Sequence, residues 1–300
     1  MRLFLVLGVV AALLLSLCAP ADAVDFSDIF VFGNSLSDSG NIYAASLSLL
    51  PGPPYSEGRF SNGPVYAETL ADLLGLGPLL PAAKGGTNYA WGGALSGTDI
   101  PVGLLTLPSV RSQVVGFLAS VEGGTVDADA LYIVAAGGND ISEAVSNGLD
   151  GDSGAGAMTA AAGAIVEAVF LLGDVGAVHI LVIDAPDLAD TPSLRGVEAA
   201  STLTQVYNRA LDAGLEGSSV GRFDISTARA AASAEGMIDE ACLQGGSVCD
   251  DPDGFFFFDD LHPTTAAHAL MAGLILQVLD APTAVIPLSW GQLKAENLRW

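Results

Sequence analysis

Positive charge is scarce in this 300-residue sequence. Lysine and arginine together number 10, against 34 aspartates and glutamates, which gives a formal net charge of −24. Lys84 and Lys294 are the only lysines. Such a balance repels phosphate backbones and anionic lipid headgroups. It therefore predicts that nucleic acid is not a partner, and it opposes binding to anionic membranes.

The N-terminal apolar run is too short to span a membrane. Arg2 is followed by about fifteen mostly apolar residues, 3–17, whereas a spanning helix needs roughly 20. Residues 21–23 then form a small-x-small cleavage pattern. Residues 1–23 are therefore predicted to be a cleavable signal peptide of a secreted or periplasmic protein with no stable membrane span. A lipoprotein anchored at Cys18 is the alternative, although Leu17 stands where such sites favour a small residue.

Cysteine is also rare. After the predicted cleavage only Cys242 and Cys249 remain, and a close pair in an exported protein predicts a disulfide across a short loop.

No repeat or long linker divides residues 24–300, which are predicted to form a single domain. The conformation of the tail, residues 282–300, is left open. The aromatic run 255–258 is interpreted as core and pocket rim in preference to an acyl-chain contact.

Short β-rich runs alternate along the chain with longer segments rich in alanine and leucine. This alternation is typical of a parallel sheet with helices on both faces, a doubly wound α/β/α sandwich. Strands are predicted at residues 28–32, 130–134, 179–183 and 222–225, and helices at residues 65–74, 158–172, 202–216 and 264–279.

Only three histidines are available to act as a base. Asp259 lies three residues before His262, a spacing that can place both side chains on one side of a turn, and Pro263 suits the first position of a helix. A carboxylate beside an imidazole favours one tautomer, as a base that takes a serine proton requires. His179 begins a predicted strand and His268 lies within a predicted helix, so His262 is the best candidate.

Two serines are candidates for the nucleophile. Ser35 follows the first predicted strand, at the sheet edge where open α/β folds bind ligands, although a serine in such a place more often caps a helix or forms a turn. Ser219 is the centre of a Gly-x-Ser-x-Gly pattern. That elbow requires a strand before the serine and a helix after it. Here the predicted order is reversed, which disfavours Ser219.

Two further segments contain hydrogen-bond donors for a developing oxyanion. Residues 87–94 include two adjacent glycines, and residues 136–140 include two glycines and an asparagine directly after a predicted strand. Glycine lets a backbone N–H approach closely, and asparagine offers a neutral N–H. Each segment alone is weak evidence for an oxyanion hole, because a glycine-rich turn usually reflects only a tight backbone turn.

No metal or cofactor is predicted. The acidic pattern that most suggests calcium begins at Asp150 and Asp152. Its fifth and twelfth positions are Gly154 and Ala161, which carry no side-chain oxygen, so the pattern cannot supply a calcium loop.

Taken together, four segments resemble the sequence blocks of the GDSL, or SGNH, hydrolase family. They are Gly-Asn-Ser-Leu-Ser-Asp-Ser-Gly-Asn (33–41), Asn-Tyr-Ala-Trp-Gly-Gly-Ala (88–94), Gly-Gly-Asn-Asp (137–140) and Asp-Asp-Leu-His-Pro (259–263), in that order. Gly-Arg-Phe-Ser-Asn-Gly-Pro (58–64) is similar to a stretch of the bacterial Phe-Gly-Asp-Ser-Leu-Ser-Asp branch. The resemblance spans residues 28–272 and implies a three-layer sandwich around a mostly parallel five-stranded sheet.

The resemblance also implies the role of each residue. Ser35 would be the nucleophile, His262 the base and acid, and Asp259 the group that orients the imidazole. The N–H groups of Ser35 and Gly93 and the side chain of Asn139 would form the oxyanion hole. The choice of Gly93 over its neighbour depends on block alignment alone.

One position departs from the family pattern, which usually has aspartate where this chain has Asn34. Asparagine keeps the shape but replaces an acceptor by a donor, so we expect an altered rate and retained activity.

The predicted function is a secreted serine ester hydrolase of the lipase or esterase type, acting through an acyl-enzyme on a small-molecule or lipid ester. Acyl transfer between lipids, phospholipase activity, removal of acetyl groups from polysaccharide and a catalytically silent binding module stay open, as does the oligomeric state.

Overall fold

The computed structural model describes residues 25–103 and 105–280. The predicted signal peptide and the tail at residues 282–300 lie outside these residues. The strands are β1 (Ile29–Phe32), β2 (Ile100–Val102), β3 (Leu105–Leu107), β4 (Leu131–Ala135), β5 (His179–Ile183), β6 (Gly221–Phe223), β7 (Ile238–Ala241), β8 (Leu243–Gln244), β9 (Ser247–Val248) and β10 (Phe255–Phe257). The helices are α1 (Asn41–Ala45), α2 (Tyr66–Leu73), α3 (Val110–Ser120), α4 (Gly138–Ser146), α5 (Ala155–Asp174), α6 (Glu198–Leu215), α7 (Ser226–Ala234) and α8 (Thr265–Asp280).

The central sheet is parallel, with the strand order β1-β4-β5-β6. Its side chains alternate between two buried cores, as the pleat of a strand requires. On β4, for example, Tyr132 and Val134 pack into one core and Leu131 and Ile133 into the other. Helices α3, α4, α5 and α6 cover the first core, and α2, α7 and α8 cover the second. The predicted three-layer α/β/α fold is therefore confirmed.

Within residues 25–103 and 105–280 the central sheet has four strands, and this corrects the five that the family resemblance implied. Residues 87–91 occupy the fifth position, beside β1. The Val31 N–H donates to the Thr87 carbonyl at 3.1 Å, and the Tyr89 N–H donates to the Val31 carbonyl at 2.7 Å. The segment does not extend into a regular strand, because Asn88 also bridges to Pro81 and the chain turns soon afterwards at the paired glycines.

The four helices predicted from the sequence occur within a few residues of their expected bounds, as α2, α5, α6 and α8. Helices α1, α3, α4 and α7 were not predicted. Helix α4 begins at Gly138, inside a Gly-Gly-Asn-Asp segment whose composition is typical of a loop. Tertiary packing overrides that local preference, because Ile141 and Ala144 bury one face of this helix in the core.

Within the described residues one helix, α5, is long and apolar enough to cross a membrane by length and composition alone. Met158, Ile165, Val169 and Leu172 on this helix are buried in the core of the sandwich. This burial accounts for the apolar residues on the inner face of the helix, because a helix that covers a sheet needs an apolar face.

The predicted disulfide between Cys242 and Cys249 is present, and it closes the short hairpin of β8 and β9. The hairpin is attached to the segment that precedes His262. The Cys242 N–H donates to the Phe257 carbonyl at 3.0 Å, and the Cys249 N–H donates to the Cys242 carbonyl at 3.0 Å. The cross-link therefore lies beside the chain that leads into the Asp259–His262 turn.

Candidate active site

The candidate site lies at the carboxyl edge of the parallel sheet. Ser35 is three residues beyond the end of β1, and helix α4, which carries Asn139, starts three residues beyond the end of β4. Neighbouring parallel strands end at the same edge, so the two side chains converge there. The third contribution, His262, comes from the segment between β10 and α8.

Three of the predicted residues form a continuous chain of hydrogen bonds. His262 Nε2 lies 2.9 Å from Ser35 Oγ, and His262 Nδ1 lies 2.8 Å from Asp259 Oδ2. An ionised carboxylate can only accept, so Nδ1 carries the proton and Nε2 presents its lone pair to the serine hydroxyl. This is the arrangement that activates a serine as a nucleophile.

Asp259 is held as a carboxylate by several donors. Its Oδ1 accepts the backbone N–H groups of Leu261 at 2.8 Å and His262 at 2.6 Å. Burial alone would raise the pKa of Asp259, but the hydrogen bond and charge of His262 and the hydroxyl of Tyr55 outweigh it and lower that pKa to about 2. Asp259 is therefore ionised at neutral pH and can stabilise an imidazolium.

Tyr55 is a contact that the sequence did not reveal. Its hydroxyl donates to Asp259 Oδ2 at 2.6 Å, the same oxygen that accepts from His262 Nδ1. Its ring meets Phe258 edge to face, with centroids 5.4 Å apart, while Phe60 covers the His262 imidazole at 5.1 Å. Tyr55 therefore contacts Asp259, and Phe60 contacts His262.

The predicted oxyanion donors differ in what their N–H groups contact, and of Asn139 and Gly93 only Asn139 lines the cavity beside Ser35. Asn139 Nδ2 donates to the Ala94 carbonyl at 2.8 Å, which leaves its second N–H for a ligand. The Gly92 N–H donates to Asp38 at 2.8 Å and is therefore occupied. Gly93 follows with φ of 82°, a left-handed conformation that favours glycine. The occupied Gly92 N–H supports the earlier choice of Gly93 as the donor.

A buried polar network supports the serine loop, which is the segment at residues 33–40 between β1 and α1. Asp38 accepts the N–H groups of Gly40 at 2.8 Å, Asn41 at 2.6 Å and Gly92 at 2.8 Å, and so ties the Gly92–Gly93 turn to the serine loop. Burial raises the pKa of Asp38 to about 6, against these backbone donors, which favour its ionised form. Asn41 Nδ2 donates to the carbonyls of Asn88 and Ala90, each at 2.8 Å.

The segment at residues 58–64 connects the histidine loop, residues 258–264 between β10 and α8, to helix α2 through hydrogen bonds and an ion pair. Ser61 Oγ donates to the Pro263 carbonyl at 2.9 Å, and Asn62 Oδ1 accepts the Thr265 N–H at 2.9 Å. Arg59 makes a two-pronged ion pair with Glu68 on α2, with N–O distances of 2.8 and 2.7 Å. The polar side chains of this stretch therefore position the chain that carries His262.

Asn34 keeps the hydrogen bond that its position requires. Its Oδ1 accepts the Leu36 N–H at 3.1 Å, and its carbonyl accepts the N–H groups of Ser37 and Asp38, each at 3.0 Å. Aspartate would supply the same acceptor, so the asparagine preserves the turn that presents Ser35. The altered rate expected from this departure stays a prediction.

Ser35 Oγ hydrogen-bonds His262 and none of the rejected candidates. Ser219 is exposed and precedes β6, at the sheet edge opposite the site. His179 begins β5 at that same opposite edge and packs against Phe26. His268 is buried in α8, where burial first and the nearby His262 second lower its pKa to about 3.

A cavity of 70 Å³ opens beside the Ser35–His262 pair. Its walls are mostly apolar and come from the chain after β1, the start of α4, the chain after β5, the start of α7, β10 and the segment between β10 and α8. They include Leu36, Pro186, Leu188, Ile225, Phe256 and Leu261. Phe256 and Phe257 are buried and also line this cavity, so the aromatic run serves as both core and pocket wall.

These features define a class of protein: an α/β/α sandwich with a Ser–His–Asp arrangement of the serine-hydrolase type at the carboxyl edge of its sheet. The model of the GDSL-like lipase/acylhydrolase family matches residues 29–275. The chain belongs to this family, as the sequence resemblance predicted.

Among its relatives, the chain is 32% identical over 182 residues to Lipase 1 of Photorhabdus luminescens, covering 61% of this chain and 26% of that protein. It is 34% identical over 191 residues to a phosphatidylcholine-sterol acyltransferase of Aeromonas hydrophila, covering 62% of this chain and 53% of that protein. The alignments thus span a quarter to about half the length of these relatives. A solved structure of a lipolytic G-D-S-L family member from Veillonella parvula superposes with a TM-score of 0.51 at 16% identity, covering 84% of this chain and 97% of that one. This likeness concerns the fold.

Proposed function

We propose that this protein is a secreted carboxylic ester hydrolase of the lipase or esterase type that acts through an acyl-enzyme on Ser35. One observation carries the proposal: the chain of hydrogen bonds from Ser35 Oγ through His262 to Asp259, at 2.9 and 2.8 Å. Family membership supports the same reaction class. The disulfide supports export, because such bonds persist in oxidising compartments.

In the first half of the proposed reaction, Ser35 Oγ attacks the ester carbonyl carbon while its proton moves to His262 Nε2. Asp259 stabilises the imidazolium that forms. The tetrahedral intermediate collapses by breaking the bond to the alcohol oxygen, which takes the proton from His262 as the alcohol leaves. In the second half, water attacks the acyl-enzyme with His262 as base, which releases the acid and restores the serine.

The negative charge on the former carbonyl oxygen would be met by the N–H groups of Ser35 and Gly93 and by Asn139. Asn139→Ala should lower kcat by about 10²- to 10³-fold with little change in KM, because this donor acts mainly on the developing oxyanion. Steady-state kinetics on a p-nitrophenyl ester measure both constants. Asn147→Ala, at the end of the same helix, is the control and should retain the parental rate. A parental kcat in Asn139→Ala would remove Asn139 from the site.

Tyr55 should act through Asp259. In Tyr55→Phe the carboxylate loses one charge-assisted hydrogen bond, so kcat should fall roughly three- to tenfold. KM should stay near the parental value, because Tyr55 is not among the residues that line the cavity. The matched control is Tyr132→Phe, which removes a hydroxyl bonded to the Asp127 carbonyl far from the site. Equal effects of the two substitutions would show that Tyr55 contributes only stability.

The proposed function is tested directly by a fluorophosphonate probe, which phosphonylates only an activated serine, together with a panel of soluble esters. We expect one equivalent of label on Ser35, identified by peptide mass spectrometry, and turnover of at least one ester. An intact protein that takes no label and turns over no ester would instead be a silent binding module.

Acyl transfer is a second candidate, because the Aeromonas relative is named a phosphatidylcholine-sterol acyltransferase. The same acyl-enzyme would then pass its acyl group to an alcohol in place of water. Product analysis with a phospholipid donor and a sterol acceptor separates the two: sterol ester formation supports transfer, and fatty acid alone supports hydrolysis.

A further inference from the structure

One of the residues that line the candidate substrate cavity is an ion-paired arginine. Arg229, on helix α7, lines the cavity beside Ser35. Its Nη1 lies 3.1 Å from Asp190 Oδ2, and its Nε donates to Asp239 Oδ1 at 3.1 Å, while Nη2 bonds the second oxygen of Asp239. Two carboxylates therefore hold the planar guanidinium in a fixed position.

A second cavity, of 420 Å³, lies behind this arginine. Arg229, Asp190, Ser226 and Phe256 line both cavities, so they form a shared wall. The residues that line only the second cavity include Ala230, Ala232, Ser233 and Met237. Phe256 is packed in a small core cluster, and Ser226 is short, so Arg229 is the long side chain of the shared wall that a substitution can remove without opening the core.

The first cavity is small. An engineered apolar cavity of about 150 Å³ is known to hold benzene, which has six carbon atoms. At 70 Å³, the space beside Ser35 has roughly half that volume and can enclose about two to four carbons of an acyl chain. A longer chain would have to displace the Arg229 ion pairs to reach the second cavity.

We infer that Arg229 is the specificity-determining end wall of the substrate pocket, and that it restricts this protein to esters of short acyl chains. The inference rests on the proposed function and names its substrate class. The ion-paired guanidinium separates two spaces that would otherwise be continuous. Removing the side chain joins them and admits a longer chain.

The experiment compares p-nitrophenyl esters from acetate to octanoate, each kept below its aggregation limit. For the parent, kcat/KM for octanoate should be at least about tenfold below that for butyrate, since misfit of even one methylene in a tight pocket has an effect of this size. In Arg229→Ala the octanoate-to-butyrate ratio should rise at least about tenfold. An unchanged ratio in a folded Arg229→Ala variant would overturn the assignment.

Two control variants separate the bulk of the Arg229 side chain from its charge, and a specific effect from the general effect of losing a surface arginine. Arg229→Met loses both ion pairs but keeps a long side chain, so its ratio should rise less than in Arg229→Ala. An equal rise would show that the ion pairs, and not the bulk, set the limit. Arg209→Ala removes an arginine that lines a neighbouring cavity but not the one beside Ser35, and should leave the ratio at the parental value.

The chain-length profile of the parent protein tests the short-chain restriction even if Arg229→Ala fails to fold. A profile that is flat from butyrate to octanoate, with turnover that depends on Ser35, would refute the short-chain restriction while the proposed function stands. Absence of turnover on every ester would instead refute the proposed function itself.

Discussion

Replacing Ser35 with alanine should leave only residual ester hydrolysis, with kcat lowered by about 10⁵- to 10⁶-fold. The Ser35 hydroxyl is the group that would form the acyl-enzyme, and its proton acceptor, His262 Nε2, lies 2.9 Å away. Without it, any remaining rate comes from the oxyanion donors acting on a direct attack by water. Initial rates on p-nitrophenyl butyrate over long incubations measure the loss.

Ser219→Ala is the matched control for this prediction. Ser219 is the other serine in a hydrolase-like motif, and it is exposed at the opposite edge of the sheet. Its substitution should leave the rate at the parental value. A large loss in Ser219→Ala combined with a parental rate in Ser35→Ala would reverse the assignment of the nucleophile. Thermal unfolding of both variants should match the parent, because neither change opens a core cavity.

The layered fold was predictable because its signals are local. Alternating apolar residues and alanine-rich segments indicate a parallel sheet between helices, and the strand positions agree within a residue or two. Helix α4 was not predictable in this way. Its first residues, Gly138 and Asn139, have weak helix propensity, and the helix exists because its apolar face is buried.

The candidate triad was predictable only in part from chemistry. The spacing of Asp259 and His262 follows from turn geometry, but nothing in the sequence alone joins them to Ser35, which is 227 residues away from His262. The family resemblance supplied that link. Tyr55 escaped prediction for the same reason, because its hydroxyl meets Asp259 across 204 residues and belongs to no motif that carries chemistry.

The buried polar residues behind the site could have been recognised from the sequence. Ser37, Asp38, Asn41 and Asn88 are almost fully buried, and all four stand within the matched motifs. Polar residues in such motifs need partners once they are buried. Asn88, for instance, donates from Nδ2 to the Ser37 carbonyl at 2.7 Å and so fixes the serine loop against the segment beside β1.

A second large effect is expected at the base. His262→Ala should lower kcat by about 10⁵- to 10⁶-fold, because no other described histidine hydrogen-bonds Ser35: His179 lies at the far edge of the sheet, and His268 is buried within α8. His179→Ala is the matched control and should retain activity. An equally large loss in that control would place the base elsewhere.

The double variant tests whether the serine and the histidine act as a unit. If Ser35 and His262 contributed independently, the losses in Ser35→Ala/His262→Ala would multiply. The 2.9 Å contact between them means instead that a serine without its base, or a base without its serine, is already inactive. The double variant should therefore be no more than about tenfold slower than either single variant. A multiplicative loss would separate the two residues and contradict proton transfer from Ser35 to His262.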